Sequence, residues 1–216
     1  MDLSQARFNM VEQQVRPWEV LDQAVLDAML DIPREHFVPA AYRRLAYSDI
    51  RIPLGFGASM FAPKWEGRLL QALAPAKHER ALEIGTGSGY VTALLARLCG
   101  AVISVDIQPQ FVEDATRKLR VANVDNAHCV AGDALDGWAN EAPFDLIAVT
   151  ASSPARRPAV EAQLAPGGRL FIVTGTGPAM EARLITREGD RYLEESLFEL
   201  ELEPLRGAET PPRFQF

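Results

Sequence analysis

The alternation of apolar and polar positions changes period along this chain of 216 residues. In the amino-terminal third the period is helical. Phe8, Val11 and Val15 fall on one side of a helix that Pro17 stops, and Leu21, Ala24, Val25 and Ala28 repeat at three-four spacing in a second. Pro33 and Pro39 bracket a turn-rich connection, residues 42–53 show neither period, and 65–73 read as a third helix ended by Pro75. From Arg80 onward, short apolar runs alternate with amphipathic ones. RALEI, AVISVD, AHCVA, FDLIAVT and RLFIVT read as strands. Between them, Val91, Leu94, Leu95 and Leu98 mark one helix, and Val112, Ala115, Leu119 and Ala122 mark another that starts at Pro109. Residues 156–164 read as one more, before Pro166-Gly167-Gly168. Strands that are apolar throughout and separated by helices imply a parallel sheet covered on both faces. The ending differs: ARLITR, a turn at Glu188-Gly189-Asp190, and a run with Phe198, Leu200 and Leu202 on one face read as an antiparallel hairpin.

The expected fold is therefore α/β, a doubly wound and mostly parallel sheet with an amino-terminal helical cap and a carboxy-terminal antiparallel hairpin. Residues 1–75 form the cap and a glycine-containing loop packed on the same domain, 76–206 the α/β domain, and 207–216 a tail in which Phe214 and Phe216 are the residues able to dock.

A chain of this length buries a core without disulfides or metal. The net charge of −7 argues against a nucleic-acid partner, which needs a basic footprint. No apolar run approaches the roughly 18 residues of a membrane span. The start, MDLSQARFNMVEQQ, shows neither a cationic leader nor an apolar signal stretch, so a cytoplasmic location is expected. Cys99 and Cys129 sit in apolar segments and read as buried free thiols in a reducing compartment. His36, His78 and His128 have no ligand-like spacing, so no metal is expected. Oligomeric state is not legible.

Chemistry concentrates at ALEIGTGSGY, the turn between the first strand of the α/β domain and its helix. Ligands of open parallel sheets lie beyond the carboxyl ends of the strands. Gly85, Gly87 and Gly89 allow a tight turn and a close approach. A dinucleotide fingerprint needs a third glycine where Tyr90 or Thr92 stands, and no P-loop lysine follows. The turn reads instead acid-x-Gly-x-Gly-x-Gly, with Glu83 leading. Two further acids end or follow strands: Asp106, about twenty residues past the first glycine, and Asp133 in AGDA. Each also has a local use, as a cap for the helix at Pro109 or as the start of a turn.

The acidic glycine pattern resembles the first motif of S-adenosylmethionine-dependent methyltransferases. A cofactor without phosphate suits a turn without lysine. The resemblance implies that Glu83, Gly85, Thr86, Gly87 and Gly89 shape the methionine end of the cofactor site, that Asp106 with Ile107 takes the ribose, and that Asp133 with Ala134 takes the adenine edge. Ala151, just past the fourth strand, joins the same wall. A more specific set runs in order from about residue 10 to 205: MVEQQV, VLDAMLDIPREHFVP, AYSD, IPLGFG, LEIGTGSGY, GDA, PFDLIAVTAS, QLAPGGRL and LEPL. Together they resemble the protein-L-isoaspartate O-methyltransferase family. That resemblance implies a Rossmann-like methyltransferase that uses S-adenosyl-L-methionine. It also implies a protein or peptide substrate carrying isoaspartate, methylated on its free α-carboxylate as a repair step.

The family's loop reads Gly-x-Gly-x-Thr-Ile-Ser-x-Pro, and its serine hydrogen-bonds the substrate carboxylate. Aligned on Gly55, Gly57 and Pro63, this chain places Ser59 at the threonine, Met60 at the isoleucine and Phe61 at the serine. The catalytic-side candidates are thus Ser59, as a polar contact near the transferred methyl, and Phe61, lining the acceptor side. Ala151 and Ser152 are expected to face the same crevice. Three readings stay open. The first is an isoaspartyl methyltransferase that holds the carboxylate through backbone groups or Ser59. The second is a methyltransferase of an unknown, flatter and more apolar small molecule that packs on Met60, Phe61 and Trp65, with Lys64 supplying charge. The third is a cofactor-binding protein without methyl transfer. Beside all three stands plain packing of Phe61 and Trp65 between cap and sheet.

Overall fold

The computed structural model describes residues 2–208; Phe214 and Phe216 lie outside the described residues. The cap opens with α1 (Leu3–Met10), which passes into a π-helical turn at Val11–Val15 and a 3-10 turn at Arg16–Trp18. The wider π turn rotates the buried face. Met10, Val11 and Val15 are inside, whereas Phe8, expected on that face, is 51% exposed. The second helix, α2 (Gln23–Asp31), starts later than its periodicity suggests because Asp22 caps it, accepting from the Ala24 amide at 2.8 Å. Its inner face is Val25, Leu26, Ala28 and Met29, so Leu21 and Ala24 stay exposed. A 3-10 segment, Arg34–His36, lies in the turn-rich connection, and a second, Ala40–Leu45, runs into the stretch that showed neither period.

The glycine loop is a hairpin. β1 (Ile52–Gly55) pairs antiparallel with β2 (Ala58–Met60) through a two-residue turn, Phe56 at φ 52° and Gly57 at φ 78°. Two successive left-handed residues are what a tight hairpin of this kind requires. α3 (Pro63–Leu73) follows, with its proline at the first turn.

The sheet comprises β3 (Arg80–Ile84), β4 (Ala101–Asp106), β5 (Ala127–Ala131), β6 (Phe144–Ser153), β7 (Leu164–Thr176), β8 (Ala179–Glu188) and β9 (Arg191–Glu199). Their order is β5-β4-β3-β6-β7-β8-β9, parallel from β5 to β7 and antiparallel for the last two pairings. α4 (Tyr90–Leu98) and α5 (Pro109–Val121) follow β3 and β4. Alternate strand residues serve different cores. Ala81, Leu146 and Ala148 join the cap and α4 on one face, while Leu82, Ile147 and Val149 pack on the other. The cap residues Leu26, Met29, Leu69 and Leu70 belong to the same apolar cluster as Leu94 and Phe171.

The helix expected over 156–164 shrinks to α6 (Pro158–Glu161). The Gln163 carbonyl is drawn into the sheet by the Phe144 amide at 2.9 Å, and β7 begins at the next residue. The last strand also ends early. Beyond Glu199 the chain turns back, and Leu202 to Leu205 run beside the end of β6, where Ser152 donates its amide to Glu203 and accepts from the Leu205 amide. Because β3 has β4 on one side and β6 on the other, the connections diverge at its carboxyl end and open a crevice there.

Candidate functional site

That crevice is a cleft of about 940 Å³, counting its open mouth. The glycine turn forms its floor. Gly85 has φ +101°, and a Cβ there would stand 2.4 Å from Thr150 Oγ1. Thr150 uses that closeness, donating to the Gly85 carbonyl at 2.6 Å. Gly87, at φ +48°, lies open to the cleft opposite Leu54. Gly89 differs: it is outside the cleft wall, and a Cβ would meet the Cβ and Cα of Ala115 on α5 at 2.8 and 3.2 Å. Its smallness serves helix packing.

Glu83, Gly85, Thr86, Gly87, Asp106, Ile107, Asp133, Ala134 and Ala151 all line the cleft, as do Ser59, Met60 and Phe61. Ser152 does not. Its side chain is buried and donates to the Leu202 carbonyl at 3.0 Å. Trp65 and Lys64 are also absent from the wall. Trp65 stacks on Phe198 at 4.9 Å, and Lys64 pairs with Asp49 at 2.8 Å while its ammonium lies over Trp18.

Glu83 is fully buried. Its Oε2 accepts from Thr92 Oγ1 at 2.5 Å and Ser104 Oγ at 2.6 Å, while Oε1 has no partner. Burial pushes its pKa up to about 8, against the pull of the two hydroxyls and with a further push from Asp106. A buried acceptor in a cleft wall suits a cationic donor. Asp106 shapes the floor itself: Oδ2 accepts from the Gly87 amide and Oδ1 from the Gln108 amide, both at 2.9 Å. Each oxygen keeps a lone pair for a hydroxyl. Asp133 is exposed and accepts from the Leu135 amide at 2.9 Å, starting a turn.

The roof is the β1–β2 hairpin and the returning carboxy-terminal segment. Phe56 meets Phe111 edge-on at 5.5 Å, and its carbonyl accepts from Arg206 at 2.9 Å. Ser59 Oγ donates to Glu203 Oε1 at 3.2 Å, and Glu203 also pairs with Arg51. Phe61 is 4% exposed and shared between cleft wall and core. Behind it Arg34 and Glu66, both fully buried, form a two-pronged ion pair at 3.0 and 3.2 Å. Burial pushes the Glu66 carboxyl above its usual range, and Arg34 opposes that.

Comparison with known proteins decides what this arrangement belongs to. The family described as Protein-L-isoaspartate(D-aspartate) O-methyltransferase (PCMT) matches residues 6–200. The chain belongs to the protein-L-isoaspartate O-methyltransferase family. Among curated relatives, Protein-L-isoaspartate O-methyltransferase 2 of Marinobacter nauticus is 39% identical over 98% of this chain and 97% of its own. Protein-L-isoaspartate O-methyltransferase 1 of an Anaeromyxobacter species is 38% identical over 88% and 91%. Two solved structures share the fold at a TM-score of 0.78. One is a protein-L-isoaspartate O-methyltransferase, 24% identical, covering 92% of this chain and 65% of that longer one. The other, from Plasmodium falciparum and 20% identical over 92% and 97%, is described as a beta-aspartate methyltransferase (PCMT) in complex with S-adenosyl-L-homocysteine.

Sequence reasoning overlooked several residues that shape this member of the isoaspartyl methyltransferase family. Arg34 and Glu66 lie 32 positions apart, and only the fold brings them under the loop. A signal existed, since PREHFVP carries an arginine within an apolar context. Thr150 was hidden at the end of an apolar strand. The roof residues 204–206 were placed only at the end of the α/β domain, past the expected hairpin, with LEPL quoted as a family motif.

Proposed function

We propose that this chain transfers the methyl group of S-adenosyl-L-methionine to the free α-carboxylate of isoaspartyl residues in damaged proteins, initiating their repair. The observation that carries the reading is a family match spanning residues 6–200. The cleft fits the cofactor. Glu83 Oε1 is a buried acceptor without a partner, suited to an ammonium, and the unbranched backbone at Gly87 keeps the floor open. The free lone pairs of Asp106 suit ribose hydroxyls, and Asp133 on the same cleft wall offers an acceptor suited to an exocyclic amino group.

Bound there, the cofactor supplies an electrophilic methyl group on a sulfonium. The acceptor carboxylate is ionised at neutral pH, with a reference pKa of about 4, and needs no general base. The chain's own residues therefore align the acceptor and exclude water. Met60, Phe61 and Phe56 supply the apolar wall that does the latter, and among the described residues no histidine or cysteine lines the cleft. The ester product cyclises to a succinimide unaided. No helix among the described residues is long and apolar enough to cross a membrane. With both cysteines free, we place the activity in the cytoplasm.

The test is incubation of the purified protein with labelled cofactor and an isoaspartyl peptide. Base-labile methyl ester is expected, with none on the matching aspartyl peptide; no ester at any enzyme concentration overturns the reading. A second reading has one observation in its favour: Ser59 is engaged by Glu203, while Phe61, which the sequence resemblance sets at the family serine position, lines the cleft. It makes the acceptor a small apolar molecule, and methylation of such compounds with none on peptide would establish it.

A further inference from the structure

Beside the cleft lies a second groove of about 1210 Å³, open mouth included, and the two share Leu54, Gly87, Ser88 and Phe111 as a common wall. It runs between the 3-10 segments of the cap and α5. Its charge opposes that of the molecule. The whole chain carries −7 with histidine neutral, yet Arg43, Arg117 and Lys118 line this groove, beside the imidazole of His36, against a single acid, Asp114. That acid is already engaged by Arg117 at 2.7 Å, one turn along α5. Arg43 and His36 are exposed, and their side chains make no hydrogen bond or ion pair among the described residues. Lys118 is tied down, donating to the carbonyls of Phe37 at 2.9 Å and Ser88 at 3.1 Å, so it fastens the groove to the glycine turn. Val38, Pro39 and Val121 complete the lining with apolar surface.

We propose that this groove docks an acidic stretch of the polypeptide that carries the isoaspartyl residue, holding the flank while the modified residue enters the cleft. The inference rests on a polypeptide being the methyl acceptor, as proposed above. Continuity argues for the occupant. An extended chain covers about 3.3–3.6 Å per residue, so the next few neighbours of a residue seated beyond Leu54 and Phe111 reach this groove over the shared wall. Charge argues for its sign. A protein of net charge −7 repels acidic polypeptides at a distance, and a local cationic trough is what converts such encounters into productive ones.

The experiment uses three isoaspartyl peptides alike except for Glu, Gln or Lys at the flanking positions. KM and kcat are measured, and fluorescence anisotropy with S-adenosylhomocysteine present reports peptide binding independently of turnover. For the wild-type protein, KM for the Glu peptide is expected about tenfold below that for the Gln peptide, the equivalent of two or three exposed ion pairs. The Lys peptide should be weakest, and added salt should close the gaps. In the Arg43→Glu/Arg117→Glu variant the order reverses. Equal KM and equal anisotropy for the three peptides in the wild-type protein overturn the proposal. So does loss of S-adenosylhomocysteine affinity in the double variant, which would assign the groove to the cofactor. Charge-ordered anisotropy without ester on any peptide would sustain the docking groove and overturn isoaspartyl transfer instead.

Discussion

The guanidinium of Arg34 donates to the carbonyl oxygen of Phe61 across 2.5 Å. The same group holds the Ala46 carbonyl at 2.6 Å and both oxygens of Glu66. One buried side chain thus ties the cap, the turn before β1 and the start of α3 to the acceptor wall. Arg34→Met should lower stability to urea by about 3–5 kcal/mol, because Glu66 is left buried without its partner. Arg34→Met/Glu66→Leu should recover most of the loss. A single variant within about 1 kcal/mol of wild type would show that the pair bears no such stress.

Glu83 couples pH to both stability and binding. Its folded pKa of about 8 lies above the unfolded carboxyl value, so the folded protein holds a proton that the unfolded chain releases. The stability this contributes is complete below the unfolded value, near pH 4, and is lost as pH rises through about 8. Glu83→Gln should flatten that slope in thermal melts of the free protein. A cationic amino group placed at Oε1 favours the ionised form, so cofactor binding at pH 7 should release up to about one proton. Calorimetry in buffers of different ionisation enthalpy measures this. Release that persists in Glu83→Gln would assign the proton to another group.

What could be read beforehand follows from the range of the forces involved. RALEI, AVISVD and AHCVA became β3, β4 and β5 with the same bounds; the inner strands β3 and β4 leave short, largely apolar runs, and the partly exposed edge strand β5 keeps enough of that pattern to be read. The π turn after α1 and the short α6 were missed because tertiary contacts overrode a local period. At the site, the cofactor-side acids were legible from their places at strand ends. Pairings across the chain were not. Ser59 looked free, yet its hydroxyl is engaged by a carboxylate 144 residues away. A glycine declares a need for room or for positive φ, but not which neighbour imposes it.

Gly89 and Gly87 separate those two needs. Gly89→Ala puts a Cβ against the backbone of α5 at φ +82°, which should cost roughly 2–4 kcal/mol from strain and overpacking combined. Its thermal midpoint should fall while the folded fraction keeps its S-adenosylhomocysteine affinity. Gly87→Ala meets only Leu54 Cδ1 at 3.2 Å but narrows the cleft floor, so affinity should fall more than stability. The opposite pattern in either variant would exchange their roles.

Phe61 decides how an acceptor is held. A phenyl ring offers a carboxylate no hydrogen bond, and a hydrogen bond to a charged group contributes about 1.5–3 kcal/mol. If transfer to an isoaspartyl peptide is limited by that missing contact, Phe61→Ser should raise kcat/KM by about one to two powers of ten. The backbone there is pinned through its carbonyl by Arg34, so the exchange alters the side chain without releasing the loop. It also opens a hole in the core, with a stability loss of up to about 3–5 kcal/mol, so rates belong to the folded fraction at low temperature. Ser59→Ala is the necessary partner experiment. With its hydroxyl engaged by Glu203, its loss should change transfer little. An unchanged rate in Phe61→Ser together with abolished transfer in Ser59→Ala would move the carboxylate contact to Ser59 and reduce Phe61 to packing.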